Sequence, residues 1–190
     1  MRPRTVAVVV LLAAALVAGR LVPAPRAEAP RDDGGPVAAG PARVLEVLDG
    51  DTVVVSMAGY EGPVRVVGVD TPEIPHPGRP AGCFGDEARG ATRAWLLGRV
   101  VRLAPAREQR DRYGRLLARL EPVDGPLAGR DLARALALSG YARPLPIAPN
   151  TDDAPAIAHQ VRVAQARRRG LWAACGFAAA FPGKEPATGG

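Results

Sequence analysis

The chain has 190 residues, 47% of them hydrophobic, which bounds it to one domain of ordinary size plus an extra segment. The formal net charge is +6, but residues 1–29 carry four arginines against Glu28, which leaves about +3 for the remainder, and net charge alone does not argue for a polyanionic partner. Metal ligation by the two cysteines alone is not expected, since only His76 and His159 are available to complete a set.

Arg2 and Arg4 precede an unbroken apolar run, Val6 to Ala18, too short to span a bilayer comfortably, and Ala27 to Ala29 offers small residues at cleavage spacing. Residues 1–29 are therefore expected to be a signal peptide, and the product secreted. An earlier cut near Gly19, or an uncleaved leader that anchors the protein to a membrane, stays open because Pro30 is a poor neighbour for cleavage. Residues 30–41 are rich in Pro, Ala and Gly and are expected to form a flexible linker. The folded domain is expected over 42–177, with a frayed tail over 178–190 and no internal repeat.

Within the domain, RVLEVL and TVVVSM flank Asp49-Gly50, the strongest short hairpin signal, since a type I′ turn needs positive φ at both central positions. VRVVGV, Val64 to Val69, follows a Gly59–Pro63 connection and completes a three-strand meander. From Gly85 to Leu97 the apolar residues take helical spacing, with Asp86 and Glu87 in the first turn where the helix dipole favours them. VVRLA and RLLARL predict two more strands, joined by the polar stretch Arg107 to Tyr113. A second helix is expected over 129–138, stopped by Gly140, and a third over 154–169, closed by Gly170. Five short strands with a helix inserted after the third predict an α+β, β-rich fold: a five-stranded OB-fold barrel with three packed α-helices.

Cys83 and Cys175 allow one pairing or two unpaired thiols. Export would place them in oxidising conditions that favour the bond, worth roughly 4 kcal/mol in the chain-entropy model for so long a loop. From Arg99 to Arg119 there are seven arginines against Glu108 and Asp111, a local excess that suits phosphate as well as a solvated face. Lys184 is the only lysine.

Three clusters carry the chemistry: Asp49-Gly50-Asp51, RVVGVDTPE from Arg65 to Glu73, and DRYGR from Asp111 to Arg115. Singly, each has a structural explanation as a turn or loop. Together they match what phosphodiester hydrolysis requires: a hard cation to neutralise charge on a nonbridging oxygen, a base for the water, and cationic donors for the phosphoryl oxygens. Asp51 and Asp70, each at a strand end, could converge on one cation, and a backbone carbonyl such as that of Thr71 is another typical ligand of hard cations such as calcium. Glu73 is close enough in sequence to serve the same site. Arg65 and Arg115 supply planar donor forks of the geometry that binds phosphate.

The ordered set DGDT, RVVGVDTPE, FGDEA, YGR and GLW resembles the staphylococcal (micrococcal) nuclease family, the thermonucleases, from about Val44 to Trp172. The resemblance implies an OB barrel with three helices and a Ca2+ site from Asp51, Asp70 and the Thr71 carbonyl, supported by Asp49. It implies Glu73 as general base and Arg65 and Arg115 as phosphate ligands, with DNA and RNA as substrates cut to leave 3′-phosphate ends. Arg112 and Tyr113, on the same turn as Arg115, are candidate substrate contacts. No obligate protein partner is implied, and a monomer suffices.

The family's type member has substrate-contacting tyrosines after the second helix, where this chain reads YARPLPIAPN, Tyr141 to Asn150. Base stacking worth roughly 1–3 kcal/mol per base is at stake there. The cysteine pair is a second departure from the type member. His76 lies in a proline-rich loop, and His159 has no Ser or Cys partner, so a nucleophilic triad has no support. Trp95 and Trp172 fall where core anchors are expected. The rival reading is a noncatalytic OB module that binds nucleic acid or protein, since fold alone does not imply chemistry.

Overall fold

The computed structural model describes residues 34–76 and 80–185; the expected leader and the first residues of the linker lie outside the described residues. Five strands close into a barrel: β1 (Gly40–Asp49), β2 (Thr52–Met57), β3 (Tyr60–Val66), β5 (Val100–Arg110) and β6 (Leu116–Pro122), in the order β1-β2-β3-β6-β5. Strand β5 returns to β1 to close the ring, and β3 and β6 form the one parallel pair of the barrel. With several helices packed around it, this is the α+β, five-stranded barrel expected from the strand count.

The VRVVGV run is not one strand. It leaves the barrel at Val67, and β4 (Gly68–Asp70) pairs instead with β7 (Arg143–Leu145) in a separate two-stranded sheet. The bend falls at Gly68, whose φ of 87° is open to glycine, and an added Cβ would come within 2.5 Å of Ile157 Cδ1. This departure carries Asp70 away from the barrel wall and places it directly opposite Arg143.

β1 shows how the sheet is patterned. Ala42, Val44 and Val47 point inward, while Leu45 and Glu46 are both exposed because a bulge at Leu45 breaks the alternation. A second register shift follows Val47, so Asp49 pairs with Thr52 and the turn consists of Gly50 and Asp51. Neither residue has positive φ, so the type I′ turn expected at Asp49-Gly50 does not form. The extra residue moved the turn one place along the chain. Glycine is required at position 50 for space: an added Cβ would sit 2.8 Å from the Thr71 side chain.

Helix α1 (Gly85–Leu96) packs on β1 through Ala88, Thr92 and Leu96. Helix α2 (Leu132–Ser139) is capped by Asp131, whose side chain accepts from the Arg134 amide at 3.0 Å, and ends at the left-handed Gly140. Helix α3 (Ala154–Ala166) stops three residues short of its expected end. Two short helices beyond those expected, α4 (Leu171–Ala174) and α5 (Gly176–Ala180), follow. The barrel interior and the α2–α3 face form one core, with Trp95 and Trp172 packed partly buried against it.

Both ends of the domain are more ordered than their composition suggests. Val37 is buried in the core, its amide donating to Gln109 Oε1 at 2.8 Å, and Gly40 to Arg43 pair with β5, so the expected linker is structured from residue 37. At the other end, Ala180 and Phe181 are buried with Leu171 in a second small core, and the tail expected to fray is packed as far as Glu185. The Cys83–Cys175 disulfide is formed, with Cα atoms 6.2 Å apart. Beside it the Cys83 amide donates to the Ala179 carbonyl, and Gly82 lies so close to the Ala180 carbonyl that a Cβ would reach within 2.3 Å. The chain entering α1 and the chain leaving α5 are thus joined by backbone contact as well as by sulfur.

Candidate active site

An open cleft of about 1060 Å³ runs between the Gly50 turn, the β4 end, the β5–β6 hairpin and the C-terminal segment. Its floor is acidic. Asp51, Asp70 and Thr71 are buried, and Asp49 and Glu73 stand at the same wall.

Asp51 is fixed by its neighbours: its Oδ2 accepts from the Thr71 amide at 2.8 Å and the Thr71 hydroxyl at 3.0 Å, and its Oδ1 accepts from the Thr52 hydroxyl. The turn is thereby stitched to the end of β4, residues 20 apart in sequence. Thr92 of α1 adds a hydrogen bond to the Gly50 carbonyl at 2.6 Å, so strand, helix and turn fix one another. Arg65, on β3, places Nη1 at 2.9 Å from Asp51 Oδ2 and Nη2 at 3.4 Å from Asp70 Oδ1, its side chain nearly sequestered from solvent. One guanidinium therefore spans both carboxylates expected to hold a metal.

Asp70 has two further cations. Arg143, opposite it across the β4–β7 pair, donates from Nε to Oδ2 at 2.8 Å, and Lys184 Nζ lies 3.0 Å from Oδ2 and 3.3 Å from Oδ1. Arg143 is itself buried, its guanidinium carbon 5.2 Å from the Phe181 ring centre and 5.8 Å from that of Phe177. Lys184 also reaches Glu73 Oε1 at 3.5 Å.

The acid groups crowd one another. The Asp49 carboxyl is pushed up to about 7, first by burial, then by the charge of Asp51 and by Glu73, against the lowering effect of the Gly50 amide that donates to it at 2.7 Å. Hard oxygen donors gathered this closely suit a hard divalent cation. Among the described residues no three acidic, histidine or cysteine side chains form a ready metal cage. The expected set, two carboxylates and a main-chain carbonyl, contains only two such side chains, and its chemistry fits calcium.

The basic hairpin lines the same cleft with Arg110, Arg112, Tyr113 and Arg115. Arg115 is held by Asp111, with Nε at 2.8 Å and Nη2 at 2.7 Å from Oδ2, and the Arg115 and Tyr113 amides donate to Oδ1. Burial pushes the Asp111 carboxyl up, but the hydrogen bonds from the Arg115 side chain and from the Arg115 and Tyr113 amides outweigh it and hold it below its ordinary value. Tyr113 is 62% exposed, with Arg112 and Arg115 on its ring at 4.8 and 5.5 Å. Aromatic and guanidinium surfaces of this kind can stack on bases and grip phosphates.

The expected site residues thus divide into two groups. Asp49, Asp51, Arg65, Asp70, Thr71 and Glu73 come together, whereas Arg112, Tyr113 and Arg115 stand on the β5–β6 hairpin, where Asp111 holds Arg115. His76 and His159 are exposed and outside the cleft. Two residues escaped sequence reasoning: Arg143, in a segment of interest only for the tyrosines it lacks, and Lys184, in the segment expected to fray. The signals were a lone lysine and the two phenylalanines, Phe177 and Phe181, that anchor the segment before it.

A closed five-stranded barrel with an acidic cleft, one arginine bridging its carboxylates and a basic hairpin beside it defines an OB-fold protein built around a charged site. Residues 63–174 match the sequence model of the family described as staphylococcal nuclease homologue. The chain is 40% identical over 97 residues to a thermonuclease of Staphylococcus hyicus, covering 49% of this chain and 57% of the relative. It is 41% identical over 96 residues to a thermonuclease of Staphylococcus intermedius, covering 48% and 57%. An uncharacterized endonuclease of Escherichia coli is 31% identical over 130 residues, 68% of this chain and 75% of the relative. The chain spans a little over half the length of the two thermonucleases it matches. It belongs to the staphylococcal nuclease family.

Proposed function

We propose that this protein is a secreted, calcium-dependent nuclease that hydrolyses phosphodiester bonds of DNA and RNA with little sequence specificity and leaves 3′-phosphate ends. The observation that carries this reading is Arg65 bridging Asp51 and Asp70 beside Glu73 in a family member whose relatives are named thermonuclease and endonuclease. The noncatalytic alternative would leave this complete charged set without a purpose.

Asp51, Asp70 and the Thr71 carbonyl would hold the calcium ion, with Asp49 in support. Bound there, it would offset negative charge that develops on a nonbridging phosphoryl oxygen. Glu73 takes the proton of the attacking water, whose oxygen forms the new bond to phosphorus as the bond to the 5′-oxygen breaks, and that oxygen leaves as a 5′-hydroxyl with a proton from solvent. Arg65 lies on the floor of the cleft with Nη1 and Nη2 on Asp51 and Asp70, and would turn to the phosphate from there. Arg115 presents its Nη1 edge from the hairpin while Asp111 holds Nε and Nη2, so its orientation is set before substrate arrives. Arg112 and Tyr113 contact the neighbouring nucleotide. Substrate arrives without an obligate protein partner, and the monomer contains the whole site. The leader directs export; if it is retained, the enzyme is displayed at a membrane.

The test is cleavage of plasmid DNA and of RNA by the purified protein in calcium and in excess chelator. Cleavage in calcium alone is expected, with 3′-phosphate termini; cleavage indifferent to chelator removes the metal assignment, and no cleavage of either polymer favours the binding module.

A further inference from the structure

We propose that Lys184 is a working part of the metal site: its ammonium is the resident counter-cation of Asp70 and Glu73 in the metal-free protein, and calcium must displace it to bind. The inference rests on the calcium reading above and goes beyond it, because Lys184 lies outside the family-matched residues 63–174.

Three observations carry it. Lys184 is the chain's only lysine, in a protein that otherwise uses arginine for positive charge, and its Nζ lies within 3.5 Å of both a prospective metal ligand and the prospective base. It is also delivered by a built scaffold. Phe181 is buried against Leu171 and Ala180, the Lys184 amide donates to the Phe181 carbonyl at 3.1 Å, and Arg143 Nη1 donates to the Glu185 carbonyl at 3.1 Å. Behind them the disulfide and the hydrogen bond from the Cys83 N–H to the Ala179 carbonyl tie the whole segment to the start of α1.

The third observation is the contrast among the cations on Asp70. Arg65 and Arg143 have nearly buried side chains and planar forks fixed by several contacts, while the Lys184 side chain is about one-third exposed. A compact ammonium on a four-carbon stem can swing into solvent at little cost, whereas a buried guanidinium cannot. Lys184 is therefore the group that yields. It lowers the repulsion among Asp49, Asp51, Asp70 and Glu73 when no divalent ion is present, and by linkage it must weaken the binding of any cation that takes over that task.

Calorimetric titration of calcium into the full chain, and melting with and without calcium, test this on wild type, Lys184→Gln and Lys184→Arg. Lys184→Gln is expected to bind calcium roughly threefold to tenfold more tightly and to melt lower than wild type only when metal-free. Lys184→Arg, which keeps the charge, is expected to restore most of the wild-type affinity. Unchanged calcium affinity in Lys184→Gln overturns the proposal, as does an equal drop in melting temperature with and without calcium, which marks a merely structural lysine. Wild-type protein that binds no calcium at all instead overturns the calcium reading, and the proposal falls with it.

Discussion

Arg143 offers the sharpest test of how this site is held together. Replacing it with methionine keeps most of the packing volume against Phe177 and Phe181 but removes the guanidinium that donates to Asp70 Oδ2 at 2.8 Å. Removing one partner of a buried ion pair costs about 3–5 kcal/mol when the other charge is left uncompensated. Asp70 would not be left so, because Arg65 remains at 3.4 Å and Lys184 at 3.0 Å. The loss should therefore fall to about 2 kcal/mol, a drop in melting temperature of roughly 4–8 °C for a domain of this size. Thermal and urea denaturation of wild type and Arg143→Met would measure it, and a double-mutant cycle with Asp70→Asn would isolate the pair. A stability change within about 0.5 kcal/mol, or zero coupling in the cycle, would refute the reasoning and leave Arg143 as a packing residue. Calcium titration of the same variant asks whether a freed Asp70 still ligates well.

Glu73→Gln should lower turnover about 10²–10⁴-fold with melting little changed, and a near-normal rate in a cleavage assay would remove Glu73 from the base role. Reducing the Cys83–Cys175 bond, which spans 92 positions, should cost roughly 4 kcal/mol in denaturant titrations and expose residues after Cys175 to proteolysis first; equal stability of the two forms would show that backbone contacts alone hold the segment. Because Asp111 is held below its ordinary value, its contribution to stability is complete above the usual carboxylate range near 4 and is lost as pH falls through the lowered value. Asp111→Asn should accordingly flatten the acid limb of the stability–pH curve, and an NMR titration that finds Asp111 at or above its ordinary value would contradict this.

How much of this is legible in the sequence differs from element to element. The barrel strands could be read because β-branched runs alternate with turn residues, a local signal. The break inside VRVVGV could not, since whether Gly68 continues a strand or bends it depends on Ile157, far along the chain. The turn at Asp49-Gly50 was misplaced by one residue for a similar reason: the bulges in β1 answer to barrel curvature, which pair signals do not encode. Asp51, Arg65, Asp70, Thr71 and Glu73 were legible because their motifs lie on two adjacent strand ends. Arg143 and Lys184 reach the same carboxylates from positions 73 and 114 residues away, and no local pattern links them.

That distance has a chemical consequence. On the proposed reading the carboxylates hold a divalent ion and must also survive without one, and four acid groups along one cleft repel unless cations are near. Arg65 meets this need for Asp51 and Asp70 together, but on the proposed reading the same guanidinium must also serve the substrate phosphate. Arg143 and Lys184 share the charge of Asp70, the one buried, the other about one-third exposed and, as proposed above, displaceable. The disulfide, the aromatic anchors Phe177 and Phe181, and the packed C-terminal segment then have a shared consequence: they deliver positive charge to Asp70 from outside the barrel, on the carboxylate that Arg65 reaches only at 3.4 Å.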